Sequence, residues 1–121
     1  MPVQKIPKSA LDKIVAGRVK EEATCVIKFY SNGCDMCHSL QPYYENISDE
    51  EEYSDLHFFA FNVDEYPPIE KLLGFNGVPT IFLLKVGGTH RRMRMLEDPE
   101  KPHKYTWYPT RHIKEFIDRE R

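Results

Sequence analysis

The sequence predicts an α/β layer architecture with a mixed sheet, and three observations predict it. The β-branched and aromatic runs "TCVIKFYS" (24–31), "LHFFAFNVD" (56–64) and "PTIFLLKV" (79–86) read as buried strands. Segments with helical apolar spacing alternate with them, the pattern of helices laid on a sheet. Gly87-Gly88 after the third run marks a hairpin, which adds an antiparallel neighbour. With 121 residues, the chain has the size of one domain, 1–121, large enough to bury a core without disulfide staples.

Taken in order, a helix is expected over about 8–20. Ser9 would be its N-cap, and Leu11, Ile14, Val15 and Val19 its apolar face. The 24–31 strand ends at Asn32-Gly33 and leads straight into Cys34-Asp35-Met36-Cys37-His38. A helix then runs from about Cys34 to Asp49, with Leu40, Tyr43, Tyr44 and Ile47 inward. Pro42 lies inside it, where a missing donor and a ring clash kink a helix. "SDEEEYSD" reads as a solvated helix end and loop, and 67–75 as a short helix opening at proline and closing at Gly74. After the third strand, "THRRMRML" (89–96) is the hairpin partner. "EDPEKPH" (97–103) is a polar insertion read as a tolerated surface loop, and "KYTWY" (104–108) a resumed strand. "PTRHIKEFIDRER" (109–121) is a last helix with Ile113, Phe116 and Ile117 inward, and Trp107 packing beneath it. The expected order is αβαβαββα.

A formal net charge of -2 gives no electrostatic case for nucleic acid or a membrane surface, and "HRRMR" (90–94) is too short to outweigh it. No apolar run reaches the roughly 18 residues of a membrane span. The N-terminal residues lack the apolar core and cleavage site of a secretory signal, so the reading is a monomer working in a reducing cytoplasm. Three cysteines are a poor disulfide framework there, and a close pair points to redox or metal chemistry. Cys25 falls mid-strand and reads as core.

The pair Cys34-x-x-Cys37 admits three readings: a redox dithiol, half of a metal site, or, with His38, a haem attachment motif. Zinc needs about four ligands, and neither a second cysteine pair nor enough cysteines for an iron–sulfur cluster are present. Met93, Met95 and His103 are candidate second haem ligands, but a strand before the motif and the absence of an export signal argue against haem. A dithiol at a helix start has a direct logic. Free N–H groups and the helix dipole favour a thiolate at Cys34, and Cys37 one turn on lies within disulfide reach.

The chain resembles the thioredoxin family over nearly its whole length. Carrying the resemblance are "VIKFYSNGCDMC", Pro42 five residues past Cys37, "GFNGVPTIFLL" (74–84) and "FNVDEYP" (61–67). The resemblance implies a three-layer αβα sandwich around a mixed sheet of four to five strands. It implies a cis bond from Val78 to Pro79, facing the dithiol, with the Val78 backbone and Gly33 beside bound substrate. It also implies a thiol–disulfide oxidoreductase with Cys34 as nucleophile and Cys37 as resolving thiol. No cofactor is bound; protein substrates bear disulfides, and a flavin-dependent thioredoxin reductase drawing on NADPH restores the dithiol. The departures are specific. The family's tryptophan before the first cysteine is Gly33, its Gly-Pro is Asp35-Met36, and its buried aspartate on the preceding strand is Lys28. Asp35 beside Cys34 disfavours a thiolate, Lys28 favours one at Cys37, and His38 adds a titratable neighbour. With Asp35 dominant, Cys34 is an ordinary thiol and the couple a reducing one. A non-catalytic binding module of the same fold, a glutaredoxin-like protein (whose Pro-Tyr dipeptide is missing) and a protein-disulfide-isomerase-like domain are the alternatives. For the last, Arg111 would approach Cys37.

Overall fold

The computed structural model describes residues 3–88 and 90–121. Their strands are β1 (Val3–Lys5), β2 (Ala23–Tyr30), β3 (His57–Asn62), β4 (Thr80–Gly87) and β5 (His90–Met95). Their α-helices are α1 (Lys8–Val15), α2 (Asp35–Asp49), α3 (Ile69–Leu73) and α4 (Thr110–Glu120). Five strands form one mixed sheet in the order β1-β3-β2-β4-β5. β1, β3 and β2 run parallel, while β4 and β5 run antiparallel to their neighbours.

Helices cover both faces, so β2 at the centre is buried on both, and its residues from Cys25 to Phe29 are all inaccessible. Because successive side chains alternate, Cys25, Ile27 and Phe29 join Leu11, Ile14, Ile69 and Phe75 on the α1–α3 face. Val26 joins Leu40, Tyr44, Ile47, Ile113 and Phe116 on the α2–α4 face. Lys28 shares the parity of Val26. The strand therefore aims a lysine toward α2.

Several expectations are corrected. The first helix ends at Val15 rather than near residue 20, because Gly17 takes a left-handed φ of 72° and turns the chain; Val19 packs on the core from outside the helix. Pro7, not Ser9, occupies the N-cap position of α1. β1 went unread because three residues carry too little alternation; its pairing with Phe58, Phe59 and Ala60 makes it a strand. Tyr43 points outward, whereas Tyr53, read as part of a solvated loop, is fully buried and donates to Asp118 at 2.9 Å. Residues 104–108 form no strand. His103 and Trp107 make an isolated bridge, and Trp107 takes a φ of 63° with its indole N–H on Asp98 at 3.0 Å while its ring packs on the α4 side. Thr89, the first residue of the expected hairpin strand, lies outside the described residues. Gly87 in that hairpin is required twice over. Its φ is 124°, and a Cβ there would sit 2.4 Å from the Glu22 Cα, a backbone atom that cannot swing aside.

Candidate active site

β2 delivers the chain to the surface at Tyr30, and a short loop carries it into α2. That loop is tied to the end of β3: the Asn32 N–H donates to Asp64 at 2.9 Å and Asn62 donates to the Asn32 side chain at 3.0 Å, while the Asp64 N–H donates to Asn62 at 2.9 Å. Cys34 is the N-cap of α2, and its Sγ accepts from the Cys37 N–H at 3.1 Å. The two cysteines are disulfide-bonded with Cα atoms 5.2 Å apart. Cys34 is half-buried and Cys37 is 2% exposed, so an incoming group meets Cys34 first.

The turn before β4 faces this pair. The Val78–Pro79 peptide bond is cis, and the Val78 carbonyl oxygen lies 3.7 Å from Cys34 Sγ. Three contacts hold the turn: Thr80 donates to the Gly77 carbonyl at 2.7 Å, the Gly77 N–H to Glu70 at 3.2 Å, and the buried Tyr108 hydroxyl to the Pro79 carbonyl at 3.3 Å. The segment read from sequence as an insertion and strand thus ends on a residue that braces the cis turn. Gly33 is exposed, and a Cβ there would meet nothing within 4 Å, so the missing tryptophan leaves open surface rather than a collapsed site.

The four residues read as tuning groups divide. Asp35, in the first turn of α2, is exposed; Met36 is half-buried. His38 is exposed, with Nε2 2.8 Å from the Asn32 carbonyl, so it pins the loop. Lys28 is 4% exposed and lines a cavity of about 150 Å³ with Cys37, His38, Tyr44 and Glu45. Its Nζ lies 5.1 Å from the Tyr44 ring centre and 5.7 Å from that of Tyr30. Arg111 stands apart, pairing in solvent with Glu115 at 3.5 Å, and is absent from that cavity. Cys25 is a free, buried core residue whose thiol is pushed up to about 11 by desolvation, which keeps it out of thiolate chemistry. Sequence reasoning missed Tyr108, Tyr44, Glu45 and Lys5. Tyr44 donates to both the Val26 and Phe59 carbonyls and so fixes the cavity wall; a tyrosine at an inward helix position was its only signal.

Burial lowers the Lys28 pKa to about 8 from 10.5; desolvation is the main cause, Glu45 opposes it and Lys5 reinforces it. A lowered lysine pKa means that folding disfavours the charged form. Between pH 8 and 10.5 the unfolded chain holds a proton that the folded chain has released, so stability rises with pH across that window. Below it the full cost persists, up to about 3 kcal/mol. Lys28→Met is therefore expected to raise the urea midpoint at pH 7 and to remove the rise toward pH 10. A variant less stable than the parent at pH 7 would contradict this.

A mixed sheet with helices on both faces and a dithiol at a helix start beneath a cis-proline turn define a thiol–disulfide oxidoreductase. The chain belongs to the thioredoxin family: the family model described as Thioredoxin matches residues 3–102. It is similar to a thioredoxin of Rickettsia bellii, 29% identical over 65% of this chain and 81% of the relative. It is also similar to the mitochondrial thioredoxin-2 of Schizosaccharomyces pombe, 29% identical over 58% of this chain, where the match spans 51% of the relative's length. The crystal structure of chloroplastic thioredoxin z shares the fold at a TM-score of 0.66, with 21% identity, covering 98% of this chain and 94% of that one. Among the described residues no helix is long and apolar enough to cross a membrane, and no group of three or more His, Cys, Asp or Glu side chains is placed to hold a metal ion.

Proposed function

We propose that this chain is a protein-disulfide reductase in which Cys34 is the nucleophile and Cys37 the resolving thiol, acting as one monomeric domain over 1–121. The observation that carries the reading is the asymmetry of the pair. Cys34 caps a helix, is reachable from solvent and lies beside the Val78 carbonyl, while Cys37 is buried behind it. An extended substrate laid along Gly33, Val78 and Pro79 presents its disulfide to Cys34, with the Val78 backbone as a strand partner. Cys34 attacks, releasing one substrate thiol. Cys37 then attacks Cys34 Sγ, releasing the second and leaving the bridge.

Asp35 beside Cys34 opposes its thiolate and with Met36 gives the entrance its character; Lys28 and His38 act on the Cys37 side. On this balance the couple is reducing. An external reductant, NADPH through a flavin-dependent thioredoxin reductase, restores it, and no cofactor is bound. The free buried thiol of Cys25 suits a reducing compartment, taken here as the cytoplasm. Equilibration in graded thiol buffers is expected to give a potential near about -270 mV. A value toward about -120 mV would make the chain an oxidant instead. Absence of NADPH consumption with a thioredoxin reductase would remove that partner alone.

A further inference from the structure

Lys28 is a cation folded into the protein without a counter-ion. It is 4% exposed, and among the described residues its Nζ has neither a carboxylate within salt-bridge distance nor a hydrogen-bond partner. Burying a charge is costly unless an opposite charge or hydrogen bonds compensate it. The side chain lines a cavity of about 150 Å³, a volume that in an apolar interior admits benzene. The wall of this cavity has two parts. Lys28, Lys5 and the Gln41 and Asn32 amides bring N–H donors, and the Asn32 oxygen already accepts from Asn62, which leaves its nitrogen to donate inward. Val3, Ala60 and the Tyr44 ring form the apolar part. Among the described residues Glu45 is the one carboxylate in the lining, so the two lysines leave a single positive charge unbalanced.

We propose that this cavity is a binding site for a small monocarboxylate of about two to four carbons, whose carboxylate pairs with the Lys28 ammonium and whose alkyl end lies against Val3, Ala60 and Tyr44. Three features select this class. One negative charge is what the lysines and Glu45 leave unbalanced, so a dianion such as sulfate would carry an uncompensated charge into a buried site. A carboxylate has two oxygens to share between the ammonium and the neighbouring amides, which chloride cannot do. The apolar wall suits an alkyl tail, and the volume rejects anything as large as a peptide. The titratable groups that face Lys28 are Glu45, Tyr44 and His38 on α2, Lys5 on β1 and Tyr30 on β2. Burial lowers the Lys28 pKa to about 8, with Glu45 opposing the shift and Lys5 reinforcing it. A bound carboxylate favours the ammonium, so binding takes the protonated form. Affinity is therefore full below the Lys28 pKa and falls as the pH rises through it. The site is separate from the dithiol reaction and does not depend on which cysteine attacks.

The test is a titration of the oxidised full-length protein with sodium propionate at about pH 6.5, followed by proton–nitrogen NMR, with ionic strength held constant by sodium chloride. Saturable shifts of the Asn32, Gln41 and Glu45 amides are expected, with a Kd of about 5 mM. Sodium sulfate at the same ionic strength is expected to give none. Lys28→Met is expected to weaken propionate binding at least about twentyfold, since it removes the charge the carboxylate pairs with. In the parent, binding is expected to be at least about tenfold weaker at pH 9.5, a readout that depends on no variant. Parent affinity retained in Lys28→Met, or affinity unchanged at the higher pH, would place the carboxylate elsewhere and overturn the proposal. Sulfate binding as tight as propionate would overturn the ligand class. No saturable shift up to about 100 mM propionate, some twenty times the expected Kd, would overturn the site itself.

Discussion

Replacing Cys34 by serine is expected to lower reduction of a disulfide-bonded protein such as insulin by at least about a thousandfold, with the fold intact. The reason is local. Only Cys34 combines access from solvent with the free end of α2, where the Cys37 N–H points at its sulfur. A serine hydroxyl in that position stays protonated at neutral pH and does not attack sulfur. Cys37→Ser has a different signature. Attack is expected to occur without resolution, so that a mixed disulfide with substrate accumulates on Cys34 and is detected as a mass adduct that dithiothreitol removes. If Cys34→Ser retained a tenth of the parent activity, the roles of the two cysteines would have to be exchanged or abandoned. Because Cys37 lies 2% exposed, exchange would further require α2 to open.

Phe29→Ala is expected to be among the most damaging core changes, costing about 4 kcal/mol of folding free energy. Its ring centre lies 4.9 Å from that of Phe75, 5.5 Å from Phe82 and 6.0 Å from Phe61. These four rings join β2, β3, β4 and the segment that leads into the cis turn. Truncation removes a buried ring whose neighbours are anchored on β3, β4 and the segment after α3 and are poorly placed to replace it. Against a typical total of about 5–15 kcal/mol, that is a large share. Urea unfolding monitored by circular dichroism measures it, and a cost under about 1 kcal/mol would mean that Phe75 swings into the void. Such movement would also shift Gly77 and Val78, so substrate affinity is expected to weaken alongside stability.

Much of this protein is legible in its amino acids. The runs at 24–31, 56–64 and 79–86 each match an observed strand to within one or two residues at either end, because strands buried on both faces need long apolar runs that no other element here shows. The cysteine pair, the helix after it and the glycine–valine–proline turn are signals local to a few residues, and local chemistry governs what they form. The inward face of α4 was equally plain from its spacing. The errors fall where context outweighs local pattern. Tyr53 sits in an acidic run that reads as solvated, yet it is buried because its ring meets Phe58 and its hydroxyl donates to the Asp118 carboxylate across the fold. β1 is a strand only because β3 offers an open edge.

By itself the sequence determined the layered α/β class, the dithiol at a helix start and the residue standing on the strand beneath it. It left the meaning of that residue open, since a lysine in an apolar run can snorkel to solvent or stay inside. Only the tertiary structure decided that Lys28 ends in the cavity behind Cys37, and that Tyr108, some thirty residues past Pro79, braces its carbonyl. Backbone parity sets which face a side chain leaves from, but what it meets there is supplied by α2, β1 and the loop before α4. Those partners are distant in the chain, and packing alone brings them together.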